Sequence, residues 1–161
     1  MRIAVISDTH LPRRSKTLPK EVWQGIDGAD LILHAGDVNT LEILEDLAHF
    51  APVKAVLGNT DPYELAIKLP KKYLFNVGQY KIGLIHGDGL TGKTVERAYL
   101  AFEEEHPDII VFGHSHQPYL AFHNKVLMFN PGSPTDKRFM PYYSYGILKI
   151  DGAIRAEIVY F

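Results

Sequence analysis

Two packed β-sheets flanked by helices, an α/β arrangement, is the fold that this sequence predicts. Three observations carry the prediction: strand–helix alternation in the N-terminal part, hairpins in the C-terminal part, and a polar cluster directly after nearly every apolar run. Strand–helix–strand units build parallel pairing, which needs a crossover, whereas hairpins build antiparallel pairing.

Ile3–Ile6 is a short apolar run, read as a buried parallel strand. A loop with Pro12, Arg13, Arg14 and Lys16 leads to a short helix over Pro19–Gly25, and Leu31–Ala35 is the second strand. Asn39 is placed as a helix N-cap, with Glu42 completing a capping box. Leu41, Leu44, Leu47 and Ala48 then form an apolar stripe at helical spacing. Val53–Leu57 is the third strand, and Tyr73–Val77 and Tyr80–Ile85 form a hairpin around Gly78-Gln79. A helix over Thr94–Glu105 aligns Val95, Ala98, Tyr99 and Phe102 and stops at Pro107. Ile109–Phe112 is a strand, Tyr119–Phe122 and Val126–Phe129 are joined by His123-Asn124-Lys125, and Ser144–Ile150 and Ala153–Tyr160 flank Asp151-Gly152 in a last hairpin.

Composition narrows the function. The 161 residues suit one domain, 1–161, with enough chain to bury a core. A formal net charge of −2 argues against broad nucleic-acid binding, so nucleic acid enters only as a substrate. The absence of cysteine excludes disulfides, thiolate metal sites and a thiol nucleophile. No apolar run approaches the ~18 residues of a membrane span. The first strand turns polar at Ser7-Asp8, too early for a signal peptide. The reading is a cytoplasmic protein with no membrane partner.

Eight histidines, several beside aspartate or another histidine, point to imidazole and carboxylate chemistry. The strands are followed in turn by Asp8 and His10, Gly36-Asp37, Gly58-Asn59-Thr60-Asp61, His86-Gly87-Asp88, Gly113-His114-Ser115-His116 and Asn130-Pro131-Gly132-Ser133. Ligands in open α/β sheets sit outside the carboxyl ends of the strands. Taken singly each cluster is ordinary: Gly36-Asp37 reads as a turn, and His86 as a satisfied core histidine. Together, carboxylates, imidazoles and a carboxamide gathered in one crevice call for a cation. Mixed Asp, His and Asn donors suit Mn, Fe, Ni or Zn. His34, inside a strand, is placed behind the ligands, where such residues orient them.

Asp8-x-His10, Gly36-Asp37, Gly58-Asn59-x-Asp61, His86 and Gly113-His114-x-His116 resemble, in order, the five motifs of the calcineurin-like metallophosphoesterases. With its short chain and Asn130-Pro131-Gly132-Ser133, the sequence is similar to the small bacterial and archaeal phosphodiesterase branch. The resemblance implies a metallophosphoesterase-type α/β sandwich and a hydrolase, a metal-dependent phosphodiesterase acting on a phosphate-ester substrate. It implies two divalent ions, manganese first, with iron, nickel or zinc as alternatives. Asp8, His10 and His116 would hold one ion, Asn59, His86 and His114 the other, and Asp37 would bridge them. Asn59 and Asp61 are the expected catalytic residues. Two ions ~3.5–4 Å apart lower the pKa of a bridging water toward ~7, making the expected nucleophile a metal-bridging hydroxide. Many relatives carry a leaving-group histidine in the third motif, where this chain has Thr60; good leaving groups, or slow turnover, are therefore expected. The resemblance also makes a homo-oligomer an expectation.

Two rivals stand against this reading. Gly87–Thr94 fits the phosphate-loop pattern G-x-x-x-x-G-K-[ST] between a strand and a helix. Too little chain follows for the rest of such a fold, and the start of a helix explains the stretch as well. The retromer metallophosphoesterase-fold subunit is a trafficking scaffold. Pro12-x-Arg14, Leu18-Pro19 and Gly78–Gly87 also resemble parts of it, which admits a non-catalytic interaction protein of the same fold. Every expected ligand position holds a competent donor, which favours the enzyme.

Overall fold

A computed structural model describes residues 1–161. The elements run β1 (Arg2–Ile6), α1 (Lys20–Ile26), β2 (Leu31–His34), α2 (Leu41–Ala48), β3 (Val53–Ala55), α3 (Tyr63–Ala66), β4 (Lys72–Val77), β5 (Tyr80–Ile85), α4 (Thr94–Leu100), β6 (Ile109–Val111), β7 (Tyr119–His123), β8 (Val126–Asn130), β9 (Ser144–Ile150) and β10 (Ile154–Tyr160). Two five-stranded sheets result, ordered β10-β9-β1-β2-β3 and β4-β5-β6-β8-β7. In the first, β1, β2 and β3 are parallel and β9 and β10 extend the sheet antiparallel. In the second, β5, β6 and β8 are parallel, with antiparallel β4 and β7 at the edges. No helix is long and apolar enough to cross a membrane.

Period-two alternation assigns each central strand two buried faces. Ile3, Val5, Leu31, Leu33, Ile109, Val111, Leu127 and Phe129 point between the sheets. Ala4, Ile6 and Ile32 face the other way, onto Val22 and Ile26 of α1 and Ile43 and Leu47 of α2. Ile110, Phe112 and Met128 meet Ala98 of α4 and Phe102 just beyond it. Both faces of the central strands are therefore apolar, so they read as runs rather than as alternation. Helices of only 7 or 8 residues are marginal alone. Burial of their apolar faces, worth ~1.5–3 kcal/mol per large side chain, holds them in place.

Three local readings need correction. Asn39 is not the cap of α2: Thr40 precedes the helix, without a side-chain cap bond, because Asn39 is used in the site described below. The helix expected over Thr94–Glu105 ends at Leu100. Glu103, Glu104 and Glu105 would place three negative charges at the negative end of the helix dipole. The chain instead closes in tighter turns, with Lys72 Nζ on the Ala101 carbonyl at 2.9 Å and Lys81 Nζ on that of Glu105 at 2.9 Å. The last hairpin has a three-residue loop, since Ile150 pairs with Ile154. The one-turn α3 after Pro62 was not anticipated.

Candidate metal centre

The carboxyl ends of β1, β2, β3, β5 and β6 open onto one edge of the sandwich, and the chain leaving each carries a donor. The sheets meet there through the His114 N–H, which donates to Asp8 Oδ2 at 3.0 Å. The donor atoms of Asp8, His10 and His116 lie within 4.8 Å of one another, as do those of Asp8, Asp37 and His86; Asp8 is common to both groups. Asn59 closes the second group, its Oδ1 lying 3.1 Å from His86 Nε2 and 3.0 Å from His114 Nδ1. All seven residues expected as ligands are thus neighbours. Asp61 stands apart: its two oxygens accept the N–H groups of Asn39 and Gly58, each at 2.7 Å, tying the loop after β2 to the loop after β3.

The hydrogen bonds fix which way the imidazoles present themselves. His86 Nδ1 lies 2.7 Å from the Ala35 carbonyl, and His116 Nδ1 is bonded to the Asp136 carbonyl. His10 Nδ1 lies 3.1 Å from Asn39 Oδ1, and the Asn39 amide nitrogen donates to the Thr60 carbonyl at 2.7 Å, which identifies Oδ1 as the acceptor end. Carbonyl oxygens only accept, so each Nδ1 carries a proton, and in the neutral rings of His10 and His116 each Nε2 carries a lone pair. Those lone pairs converge: His10 Nε2 and His116 Nε2 are 3.1 Å apart, and Asp37 Oδ2 lies 3.5 Å from His10 Nε2. His86 Nε2 lies 3.4 Å from the same Asp37 oxygen. Acceptors facing acceptors in a buried site repel unless a cation lies among them. Imidazoles anchored through the far nitrogen to carbonyls are the usual support of metal-binding histidine. The residues present therefore fit divalent metal.

Burial sets the charge states. It lowers His10 and His114, and brings His116 down to about 4, so these rings are neutral donors at pH 7. Burial pushes the Asp8 carboxyl up to about 7, against the opposing charge of His86 and the Ser7 hydroxyl. At Asp37 burial opposes the charge, but the hydrogen bond and charge of His86 and the Thr60 N–H together hold it well below the carboxylate range. Burial also opposes a charge on His86, yet its bond to Asp37 and the charges of Asp8 and Asp37 carry it up to about 9. The site draws a proton to offset its carboxylates, and a divalent cation would displace that proton. Fully buried His34, brought down to about 3, shares its Nε2 with the Thr9 hydroxyl at 3.1 Å behind the ligands.

Five of the seven donors, Asp8, His10, Asp37, His114 and His116, adopt left-handed backbone, as does Asn39. Such conformations cost roughly 1–3 kcal/mol each and persist only where the surroundings impose them. Here the surroundings include Asn130 and Ser133, of the polar run that the sequence pattern marked, and Thr135, which it did not single out. Ser133 Oγ donates to the Asp8 carbonyl at 2.8 Å, and Thr135 Oγ1 to that of Thr9 at 2.6 Å. Asn130 Nδ2 holds the Gly113 carbonyl at 2.8 Å, which gives Asn130–Ser133 its part as a brace across both sheets. Arg14 pairs with Asp136 at 3.0 Å beside His116. The one legible signal for these braces was the polar run after β8.

The phosphate-loop reading of Gly87–Thr94 fails on orientation. The Arg97 guanidinium gathers the carbonyls of Gly87 at 2.9 Å, Thr91 at 3.0 Å and Gly92 at 2.6 Å, so these carbonyls turn inward onto a cation. A phosphate cradle presents N–H groups to an anion. Arg97→Ala is expected to lower stability by about 2 kcal/mol, as hydrogen bonds from charged donors contribute ~1.5–3. Urea unfolding, with protease nicking between Gly87 and Lys93, measures it; an unchanged midpoint would show that the guanidinium does not hold the loop.

Comparison with known proteins agrees with this geometry. Residues 1–153 match the calcineurin-like phosphoesterase superfamily domain. A probable metallophosphoesterase of Methanothermobacter thermautotrophicus is 40% identical over 161 residues, covering 99% of this chain and 92% of its own. Another, from Methanocaldococcus jannaschii, is 38% identical over 161 residues, covering 99% and 81%. Among solved structures, wild-type Vps29 of Entamoeba histolytica complexed with Zn²⁺ superposes with a TM-score of 0.79, at 25% identity and 99% coverage of each chain. With its strand order, its five strand-end motifs and a family match over residues 1–153, the chain belongs to the calcineurin-like phosphoesterase superfamily.

Proposed function

We propose that this protein is a phosphodiesterase working with two divalent metal ions. Asp8, His10 and His116 would hold one ion and Asn59, His86 and His114 the other, with Asp37 between. The observation that carries the reading is the facing pair of His10 and His116 lone pairs at 3.1 Å, each ring fixed from behind. Manganese is the first candidate, and iron, nickel and zinc suit the same donors; the zinc complex of the Entamoeba histolytica protein is in keeping with that range. Bound ions would acidify a water for attack and draw charge from the phosphoryl oxygens.

The chain's own residues set the rest. Asn59 engages its neighbours through Oδ1 alone, so its amide N–H groups are free to donate to a phosphate oxygen. Asp61 is a positioning residue: it holds the backbone of Gly58, next to Asn59, and of Asn39, which anchors His10. Thr60 offers no leaving-group proton at neutral pH. Its hydroxyl accepts from Asn39 Nδ2 at 3.0 Å, and its N–H donates to Asp37 Oδ1 at 2.9 Å. Esters of acidic alcohols are the favoured substrates on this account. The rival scaffold reading draws on the likeness to Vps29, whereas the complete donor set supports catalysis.

Chelator-stripped protein is expected to leave bis-p-nitrophenyl phosphate intact and to regain turnover with Mn²⁺. Turnover indifferent to both treatments would remove metal from the chemistry. A folded, metal-loaded protein without turnover would turn the reading to the scaffold.

A further inference from the structure

The Gly87–Lys93 segment borders two clefts beside the donor cluster. One, about 510 Å³, is bounded by Asn59, Asp61, Lys71 and Asp88. The other, about 530 Å³, runs from Ser115, between His114 and His116, past Gln117 and Tyr119 to Lys93. A phosphodiester carries two ester groups; the first cleft abuts Asn59, and the second reaches the donor cluster at Ser115. The second cleft has the more selective chemistry. Val95 gives it apolar surface, and the half-buried Tyr119 ring stands 6.1 Å from that of buried Phe112, which backs it. Exposed Gln117 uses only its backbone groups in the hydrogen bonds around Ser115, so its carboxamide is free to both donate and accept. The ion pairs formed by lysine and arginine lie elsewhere in the chain, leaving the Lys93 ammonium uncommitted. Asn130 Nδ2 holds both the Gly113 carbonyl and Ser115 Oγ, at 2.8 and 3.1 Å. The cleft wall at Ser115 is therefore tied to the strand end that carries His114 and His116.

We propose that this cleft binds the heteroaromatic group of a nucleotide-type phosphodiester. Tyr119 supplies the stacking face, Gln117 reads the polar edge of the ring, and Lys93 places positive charge at the mouth. An aromatic wall beside a free carboxamide and a free cation suits a flat ring with a polar edge and an attached anion. This inference rests on the phosphodiesterase reading above and adds the substrate class to it.

Two esters with the same leaving group test it on the Mn²⁺-loaded protein: p-nitrophenyl thymidine 5′-phosphate and methyl p-nitrophenyl phosphate. The kcat/KM ratio is expected to favour the thymidine ester about tenfold or more, the size of effect that aromatic stacking of a base gives. Tyr119→Ala should bring the ratio near one, and Tyr119→Phe should keep it. Calorimetry supplies a readout without turnover: thymidine 5′-monophosphate should bind about tenfold tighter than inorganic phosphate, and Tyr119→Ala should erase the difference. Equal kcat/KM for the two esters in the parent protein, or a preference that survives Tyr119→Ala, would overturn the proposal. Failure to turn over either ester would overturn the phosphodiesterase reading, and the calorimetric comparison would still decide the cleft.

Discussion

Asp37→Ala should lower phosphodiester hydrolysis by about three orders of magnitude, beyond the 10–100-fold that loss of an outer partner costs such sites. Asp37 faces residues of both proposed ligand sets: its Oδ2 lies 3.5 Å from His10 Nε2 and 3.4 Å from His86 Nε2, and its Oδ1 accepts the Thr60 N–H at 2.9 Å. Its removal takes away the carboxylate between the two donor groups and leaves their lone pairs without the negative charge that helps bind a cation. The loss also has a binding signature. A ligand at a hundred times its Kd stabilises the native state by about 2.7 kcal/mol, which for a chain of this size is a rise in Tm of about 5–10 °C. Mn²⁺ should give such a shift in the parent protein and much less in Asp37→Ala. Asp37→Asn keeps the acceptor for Thr60 and loses the charge, so it should retain the fold and still lose most of the shift. An Asp37→Ala protein with near-parental turnover would sink the dinuclear mechanism.

Gly58→Ala should cripple the site without replacing a donor. A Cβ at Gly58 would stand 2.2 Å from both the amide nitrogen and Oδ1 of Asp37 and 2.9 Å from its Cα. Those neighbours are backbone and a fixed carboxylate, so one strand end must move, at the ~1–3 kcal/mol typical of overpacking. Displacing Asp37 by even 1 Å should lower turnover about a hundredfold. Gly152→Ala is the matched control. It also introduces a methyl group, at a residue with φ of 83°, but nothing lies within 4 Å of the new atom. It should cost about 1–2 kcal/mol through backbone strain and leave turnover alone. Thermal melts and kcat/KM on both variants separate the two effects. Equal turnover in Gly58→Ala and parent protein would show that Asp37 need not sit where the structure places it.

The contrast between these glycines shows where the sequence was readable. The donors were legible because each follows an apolar run that is a buried strand, several beside a glycine that lets the chain turn in close quarters. That the donors share one edge depended on the strands being neighbours, and the sheet order that makes them so comes from the structure. The anchors were not legible. Asn39 precedes an apolar stripe with Glu42 three residues on, which satisfies every local rule for a cap. Its side chain instead reaches His10 and Thr60, residues distant in sequence, and only the packed sheets reveal that. The left-handed backbone at five donors was hidden for the same reason, since none of the five is glycine. Gly87–Thr94 satisfied a motif in residue type while Arg97, outside the motif, decided which way its backbone faces.

The seven donors are proposed to form one site for two ions that hydrolyses phosphodiesters. The most direct test is to titrate chelator-stripped protein with Mn²⁺, following bound metal and bis-p-nitrophenyl phosphate turnover in the same samples. Turnover that rises with bound metal and saturates at two ions per chain is the predicted result. Turnover that saturates at one ion, or full occupancy by two ions with no turnover, would contradict it.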